Sequence, residues 1–293
     1  MNDVTLKKEN KMLVTGSDGF LGTALCDRLS PAGDYEVIKF DINNGNIVDF
    51  DFSDCGAKHV VHLAAKTAVT QSWEQPYDYY LTNFMGTVNV LEYCRKNNAS
   101  LTFVSTYMYG TPQYLPIDEK HPLEAHSVYN HTKQLGEDVC NYYSTHYNVP
   151  VTIFRIFNIY GGGQGNDFLI PTIIRQALVG NSIEVMDLRP KRDFVYIDDV
   201  IDAICLSIGN EGFNIYNVGS GVSHSVLDVV NNICLAIGEE KQIIDKKKIR
   251  YNEVLDVVAD ITKIKSELGW EPKTSFCDGI KMTVSSFKRG LSE

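Results

Sequence analysis

An α/β fold, in which a doubly wound parallel sheet takes up most of the chain and a smaller discontinuous α/β domain completes it, is predicted for this 293-residue sequence. Three features predict it. β-prone runs alternate with helical ones through the first half, those runs are apolar along their length as strands covered on both faces are, and a glycine-spaced loop joins the first strand to the first helix.

Lys11 to Thr15 reads as a strand feeding GSDGFLG, Thr23 to Leu29 as a helix, and Glu36 to Phe40 as a second strand ending at Asp41, together a βαβ unit. Further parallel strands are predicted at His59 to Leu63, Leu101 to Val104 and Val151 to Arg155, separated by helices at Pro76 to Lys96 and Ser127 to Tyr147. After Tyr160 the texture changes. GGGQG makes a flexible joint, helices are predicted at Pro171 to Val179, Asp198 to Ile208 and Ser225 to Ile237, and KQIIDKKKIR reads as a solvated charged loop. The predicted division sets residues 1–160, with 194–217 returning to them, against 161–193 and 218–293.

Hydrophobic residues are 44% of the chain and no repeat or low-complexity tract interrupts it, which suffices for a sizeable core. A formal net charge of -10 argues against nucleic acid as a partner, because that surface needs clustered Lys and Arg in excess. The N-terminal MNDVTLKKENKMLVTG is polar where a signal peptide is apolar, and no later run is long and apolar enough to cross a bilayer. A cytoplasmic protein without a membrane partner is expected. The cysteines at 26, 55, 94, 140, 205, 234 and 277 lack CxxC spacing and the histidines lack HxxxH or HExxH spacing, so buried reduced thiols and no metal site are expected.

Gly16, Gly19 and Gly22 fall between strand and helix, where backbone amides face a pyrophosphate, and a Cβ would block the turn, the phosphate's approach or the helix packing. Asp18, Phe20 and Leu21 share this loop. A plain turn is the competing reading. Asp41 lies about 20 residues beyond Gly22, the spacing at which a carboxylate accepts hydrogen bonds from an adenosine ribose and repels a 2′-phosphate. NAD is therefore favoured, while neighbouring Lys39 leaves NADP open. Asp41 ahead of Asn43-Asn44-Gly45 also reads as a strand-end turn residue.

Tyr129 and Lys133 stand four apart, hence on one helix face, and an ammonium beside a phenol favours the phenolate, which lets a tyrosine act as a base near neutral pH. An amphipathic surface would give the same spacing. Ser105 follows an apolar strand and so falls at the carboxyl edge of the sheet, the expected ligand crevice, although a strand-end serine needs no function to be there.

In this order the pieces resemble the extended short-chain dehydrogenase/reductase family, specifically its NAD-dependent nucleotide-sugar epimerase/dehydratase branch with its Rossmann-type sheet, over about Lys11 to Pro272. GSDGFLG is similar to the family's GxxGxxG, His62-Leu-Ala-Ala65 to its HLAA strand end, Asn83 to Thr87 to its NxxGT segment, Ser105 to Gly110 to its SxxxYG strand, and Tyr129 with Lys133 to its YxxxK. The resemblance implies Tyr129 as acid/base, Lys133 holding the nicotinamide ribose and tuning Tyr129, and Ser105 bonding the reacting oxygen. It adds Leu63, Ala64, Ala65 and Asn83 to the cofactor site and Thr67, Thr106 and Tyr107 to the substrate site. In the smaller domain it implies a nucleotide diphosphate sugar gripped by Asn158, Arg192 and Arg250, with Glu253 where the branch often has Asp. An Arg192 salt bridge to Asp193 or Asp198 is the alternative there. Phe168, Leu169 and Val185 are expected at the base pocket, or else in the core. Asn43 to Lys58 is shorter than the family's usual segment, so the adenine pocket, with Asn46 and Ile47, is expected to be rearranged. A homodimer through Pro76 to Lys96 and Ser127 to Tyr147 is also implied.

Members of this branch share hydride transfer at a sugar carbon and differ in their other acids and bases. Thr106 and Tyr107 occupy the positions where the 4,6-dehydratases carry Asp-Glu and the decarboxylating members a glutamate, and no Cys/His pair of the 3,5-epimerising reductases lies near Ser105 or Tyr160. Two readings remain. A NAD-dependent 4-epimerase is favoured by Asp41; an NAD(P)H-dependent reductase of a nucleotide-4-keto-6-deoxy sugar is favoured by the short chain and by Asp187 to Asp193. Val257 stands near the sugar's C2 substituent by the same resemblance. A non-catalytic dinucleotide-binding sensor is the alternative from another class, and the intact Ser105, Tyr129 and Lys133 argue against it.

Overall fold

The computed structural model describes residues 10–32, 35–249 and 253–290. In chain order its elements are β1 (Lys11–Thr15), α1 (Phe20–Ala32), β2 (Glu36–Phe40), β3 (His59–His62), α2 (Val69–Glu74), α3 (Pro76–Tyr79), α4 (Gly86–Asn97), β4 (Ser100–Thr106), α5 (Val128–Tyr147), β5 (Val151–Ile156) and β6 (Asn158–Tyr160). They continue as α6 (Leu169–Val179), β7 (Ser182–Val185), β8 (Lys191–Tyr196), α7 (Ile197–Leu206), β9 (Phe213–Val218), β10 (Ser223–Ser225), α8 (Val226–Ile237), β11 (Gln242–Asp245), α9 (Thr262–Leu268) and α10 (Phe276–Gly290). A 3₁₀ turn, Ile42–Asn44, follows β2, and a π-helical segment, Tyr80–Met85, joins α3 to α4.

The described residues of Met1–Gly110, Pro122–Ile156 and Ile201–Tyr216 form one compact unit, and those of Thr111–His121, Phe157–Val200 and Asn217–Glu293 form a second. These limits differ from the predicted ones. Residues 194–200 stay with the second unit because β8 pairs there with β6 and β10, and 111–121 joins it through the bridge between Ile117 and Ala259.

In the first unit the sheet runs β2-β1-β3-β4-β5-β9, and every pair from β2 to β5 is parallel. Sequence order turns outward on both sides between β1 and β3, so their carboxyl ends flank the switch point where such sheets bind ligands. β3 and β5 are buried at every position, as the unbroken apolar runs predicted. The short segment after β2 packs Phe50 and Phe52 on Phe40, with ring centroids 4.5 and 5.0 Å away. Asn89 pins it by donating to the carbonyls of Ile47 (3.0 Å) and Phe50 (2.9 Å). Asn98, at φ 49, ends α4, and Ser127 caps α5 by accepting from the Asn130 amide at 3.1 Å.

The second unit holds a three-stranded sheet, β10-β8-β6, and a parallel β11-β7 pair. Gln242–Asp245 is thus a strand rather than part of the solvated loop expected there: each of its residues lies in parallel register with one of Ser182–Val185 in β7. α8 starts at a capping box made by Ser225 and Asp228 and stops at Gly238, φ +82. Asp193 in β8 is fully buried, and it accepts from the Ser220 hydroxyl (2.7 Å) and from the amides of Ser220 (2.6 Å), Gly221 (3.0 Å) and Ala259 (3.0 Å). One carboxylate therefore ties three backbone segments together. Cys277 is exposed, contrary to the expectation of buried thiols, whereas Cys26, Cys94 and Cys140 are buried. Among the described residues no helix is long and apolar enough to cross a membrane, and no group of three His, Cys, Asp or Glu is arranged to hold a metal ion.

Candidate active site

Gly16 leaves β1 at φ +73, and a Cβ there would lie 2.7 Å from the Ala64 nitrogen. At Gly22 a Cβ would collide with the Gly16 carbonyl and come within 2.8 Å of Ser17 Cα. Backbone stands on every side, so no rotamer relieves these clashes and only glycine fits. The amides of Gly16 (2.8 Å) and Ser17 (3.2 Å) donate to the Phe40 carbonyl, and that of Gly19 donates to Gly16 at 3.2 Å. Phe20 and Leu21 open the first turn of α1, where a helix leaves its N–H groups without intrahelical partners.

Asp41 takes the strand-end turn role that its sequence suggested. Its carboxylate caps the 3₁₀ turn by accepting from the Ile42 amide at 2.7 Å, and its other oxygen accepts from the Asp18 amide at 3.0 Å, joining β2 to the glycine loop. Asn46 is exposed and accepts from the Val48 amide at 3.2 Å. Ile47 is buried, and a Cβ on Gly86 would stand 2.7 Å from its Cγ2. Leu63, Ala64 and Ala65 continue past β3 along the switch point, with the Leu63 amide held at 3.0 Å by the Thr15 carbonyl.

Asn83, expected among the cofactor contacts, is consumed by the protein. Its amide oxygen accepts from the Lys66 amide (2.8 Å), and its nitrogen donates to the Lys66 carbonyl (3.0 Å) and to Thr132 Oγ1 (3.0 Å). It clasps the loop after β3, which carries Thr67, to the catalytic helix. A buried chain of hydrogen bonds runs alongside: Thr15 to His62 Nδ1 (2.7 Å), His62 Nε2 to Thr87 (3.1 Å), Thr87 to the Asn83 carbonyl (2.6 Å) and Thr132 to the Tyr129 carbonyl (2.8 Å). Burial, aided by the charge of Lys133, pulls His62 down to about 3, so the imidazole is neutral and bonds through both nitrogens.

Ser105 and Thr106 end β4, against which α5 packs, bringing Tyr129 and Lys133 to the same edge. Gly136 permits this approach, since its Cβ would lie 2.8 Å from Phe103 Cζ. Ser105 Oγ is buried with no hydrogen-bond partner. Lys133 is buried with its Nζ 4.1 Å from the centre of the Phe103 ring, and burial pulls the amine down to about 8. Burial pushes the half-buried Tyr129 phenol up to about 12, and a hydrogen bond from Thr106 works in the opposite direction. Tyr79 adds to the rise, and the Lys133 ammonium lies over the Phe103 ring.

Sequence reasoning missed what braces this helix. Glu137 is buried and binds the Arg155 fork, with Oε2 2.7 Å from Nη2, and Arg155 Nη1 donates to the Tyr109 hydroxyl at 3.1 Å. The signal was an arginine inside the apolar strand Val-Thr-Ile-Phe-Arg-Ile, which demands an anion nearby.

In the second unit Asn158 donates to the Asp193 carbonyl at 3.1 Å. Arg192 pairs with Glu253 at 2.5 Å and donates to the Val254 carbonyl at 2.7 Å, so its ion partner is neither Asp193 nor Asp198 but another residue of the predicted substrate set. Phe168 (50% exposed) and Leu169 (37%) stand open at the start of α6, whereas Val185 and Val257 are buried and belong to the core. Arg250 lies outside the described residues.

Residues 30–283 match the family model described as GDP-mannose 4,6 dehydratase. A putative UDP-glucose 4-epimerase of Methanocaldococcus jannaschii is 34% identical, covering 94% of this chain and 98% of its own. The UDP-glucose 4-epimerase of Thermotoga maritima, solved with UDP-glucose, superposes with a TM-score of 0.90 at 28% identity over 96% of this chain and 99% of that one. The UDP-glucuronic acid 4-epimerase of Bacillus cereus, solved with UDP-glucuronic acid and NAD, gives 0.88 at 26% identity over 95% and 99%. With this coverage and with the glycine loop, switch point and Tyr129/Lys133 edge in place, the chain belongs to the NAD-dependent nucleotide-sugar epimerase/dehydratase family.

Proposed function

We propose that this enzyme is a NAD-dependent nucleotide-sugar 4-epimerase working through transient oxidation at C4. The observation that supports the reading is the carboxyl edge of β4 with α5 packed on it, which carries Ser105 Oγ buried without a hydrogen-bond partner, the half-buried Tyr129 and the buried Lys133, with no acidic pair after Ser105. The matched family model is named for a dehydratase. Expelling a C6 hydroxyl needs an acid and a base, and Thr106 and Tyr107 are poor candidates for those tasks.

The cradle fits a dinucleotide: glycines leave space that a Cβ would fill, the first turn of α1 would offer the Phe20 and Leu21 amides to a pyrophosphate, and Asp41 suits an unphosphorylated ribose. Lys133 would hold the nicotinamide ribose. When bound, the nicotinamide supplies hydride exchange at the sugar carbon. Tyr129 accepts the C4 hydroxyl proton and later returns one to the carbonyl oxygen, and Ser105 hydrogen-bonds that oxygen throughout. For Tyr129 to act as a base, positive charge must offset the burial that raises it. In the second unit Asn158 and the Arg192–Glu253 pair provide polar anchors for a nucleotide diphosphate.

The test is to purify the protein without added cofactor, denature it and identify the released dinucleotide by mass spectrometry. NAD near one per chain is expected, since an epimerase keeps its cofactor through a closed redox cycle. An empty site that binds NADPH reversibly would overturn the epimerase reading in favour of the 4-keto-6-deoxy sugar reductase, which exposed Lys39 at the end of β2 would suit. A homodimer through Pro76 to Lys96 and Ser127 to Tyr147 goes with the proposal; Met85 (43% exposed), Tyr142 (53%) and Tyr147 (48%) lie along these segments. Light scattering showing monomer alone at working concentration would reject it.

A further inference from the structure

We propose that Glu137 is a positioning residue of the active site, a buried carboxylate that keeps Lys133 in its charged form from one helical turn away while the Arg155 fork anchors it to Tyr109. The inference rests on the catalytic reading of Lys133 given above. Its physical basis is independent of substrate.

Glu137 is four residues beyond Lys133 on α5, on the same face, and both are buried. A buried ammonium without a counter-charge gives up its proton. The groups facing Lys133 offer few alternatives. From β4 it meets the Phe103 ring, and from β3 the neutral His62, both of whose ring nitrogens are engaged. Buried on its own helix stand Cys140, whose thiol burial keeps protonated, and Glu137. Tyr79 faces Tyr129 instead, and Glu92 of α4 reaches Tyr143 at 2.8 Å and Arg95 at 2.9 Å. Lys66 is paired with Asp78 at 3.1 Å. Asp138 is on the exposed side of α5, where His131 bonds Tyr80 at 2.8 Å.

Glu137 is therefore the carboxylate placed to act on Lys133, and the Arg155 guanidinium binds it at 2.7 Å. The Arg155 Nε also contacts both Glu137 oxygens, at 3.2 and 3.1 Å, so the fork holds the carboxylate in one orientation. Arg155 is in turn fixed on β5 and hydrogen-bonded to Tyr109, three residues beyond Thr106. The bracket thus joins the strand end bearing Ser105, the next strand and the catalytic helix.

The test is a ¹³C NMR titration of the holoenzyme labelled at lysine Cε, with the Lys133 resonance assigned by its loss in Lys133→Met. Glu137→Gln strands the buried Arg155 charge and can fail to fold, so Glu137→Gln/Arg155→Met, which removes both charges, is the decisive variant. The Lys133 midpoint in the double variant is expected about one pH unit below that of Arg155→Met, from which it differs by the Glu137 charge alone, and to return most of the way in Glu137→Asp/Arg155→Met. NAD affinity should fall in parallel as pH rises through the lowered midpoint. Equal Lys133 midpoints in the folded double variant and in Arg155→Met would overturn the assignment, as would a Glu137→Asp/Arg155→Met midpoint as low as that of the double variant. A shifted midpoint in a protein that turns over no nucleotide sugar would instead sustain the assignment and remove the epimerase reading.

Discussion

Gly136→Ala tests whether close approach of α5 to β4 builds the active site. Exchanging glycine for alanine inside a helix normally stabilises by about 1 kcal/mol. Here the new Cβ would stand 2.8 Å from Phe103 Cζ and 3.3 Å from Cε1, where carbon atoms prefer about 3.5–4.0 Å. The Phe103 ring cannot swing aside. It is fully buried, with Lys133 Nζ 4.1 Å above it and the His62 ring centroid 5.8 Å away. Overpacking of this kind costs about 1–3 kcal/mol, so the net effect should be a loss of about 1 kcal/mol and a fall of a few degrees in Tm. Because relief comes by moving α5, Tyr129 and Lys133 shift relative to Ser105, and kcat for nucleotide-sugar epimerisation should drop about 10- to 100-fold while NAD affinity changes less. Calorimetry and steady-state kinetics on the same preparation read both effects. A variant more stable than the wild type with unchanged kcat would refute the reasoning, since it would mean that helix and strand have slack at this contact.

Lys133→Met should stabilise the protein at neutral pH while abolishing turnover. The amine sits at about 8 in the folded protein against an ordinary 10.5, so below pH 8 the folded state bears the full cost of a buried charge, about 3 kcal/mol. Between 8 and 10.5 the unfolded chain binds more proton and wild-type stability rises with pH; denaturant melts should show the variant's advantage of about 1–3 kcal/mol at pH 7 shrinking toward pH 10, and a variant less stable at pH 7 would contradict this. Asp41→Ala removes the acceptor of the Asp18 amide and of the ribose, and should weaken NAD about 10- to 100-fold in a fluorescence titration; unchanged affinity would show that the carboxylate serves its turn alone.

The first unit was readable because its signals are local. Strands such as Lys11–Thr15 and Glu36–Phe40 coincide with apolar runs, the glycine triplet needs only its neighbours, and Ser105, Tyr129 and Lys133 announce themselves by position and spacing. What escaped was settled by partners distant in sequence. Asn83 looks like a ligand until the Lys66 backbone takes both ends of its amide, Glu137 means nothing without Arg155, and Gln242–Asp245 becomes a strand only when β7 is beside it. Helical spacing puts Tyr129 and Lys133 on one face but does not say which neighbour each leans on, and here a phenylalanine ring lies beneath the ammonium.

The π-helical segment Tyr80–Met85 has a bearing on how this chain can lengthen or shorten over generations. A π turn holds one residue more than an α turn, so the helical run from Pro76 to Asn97 contains, in effect, an accommodated insertion with Asn83 inside it. Deleting one residue there would regularise the helix at little expense to its own hydrogen bonding. It would also rotate everything before the deletion by about 100° around the axis, carrying Tyr79 away from the Ala68 carbonyl that its hydroxyl meets at 2.7 Å. Gaps in this stretch should therefore be selected against more strongly than substitutions, even though a deletion would leave a better helix.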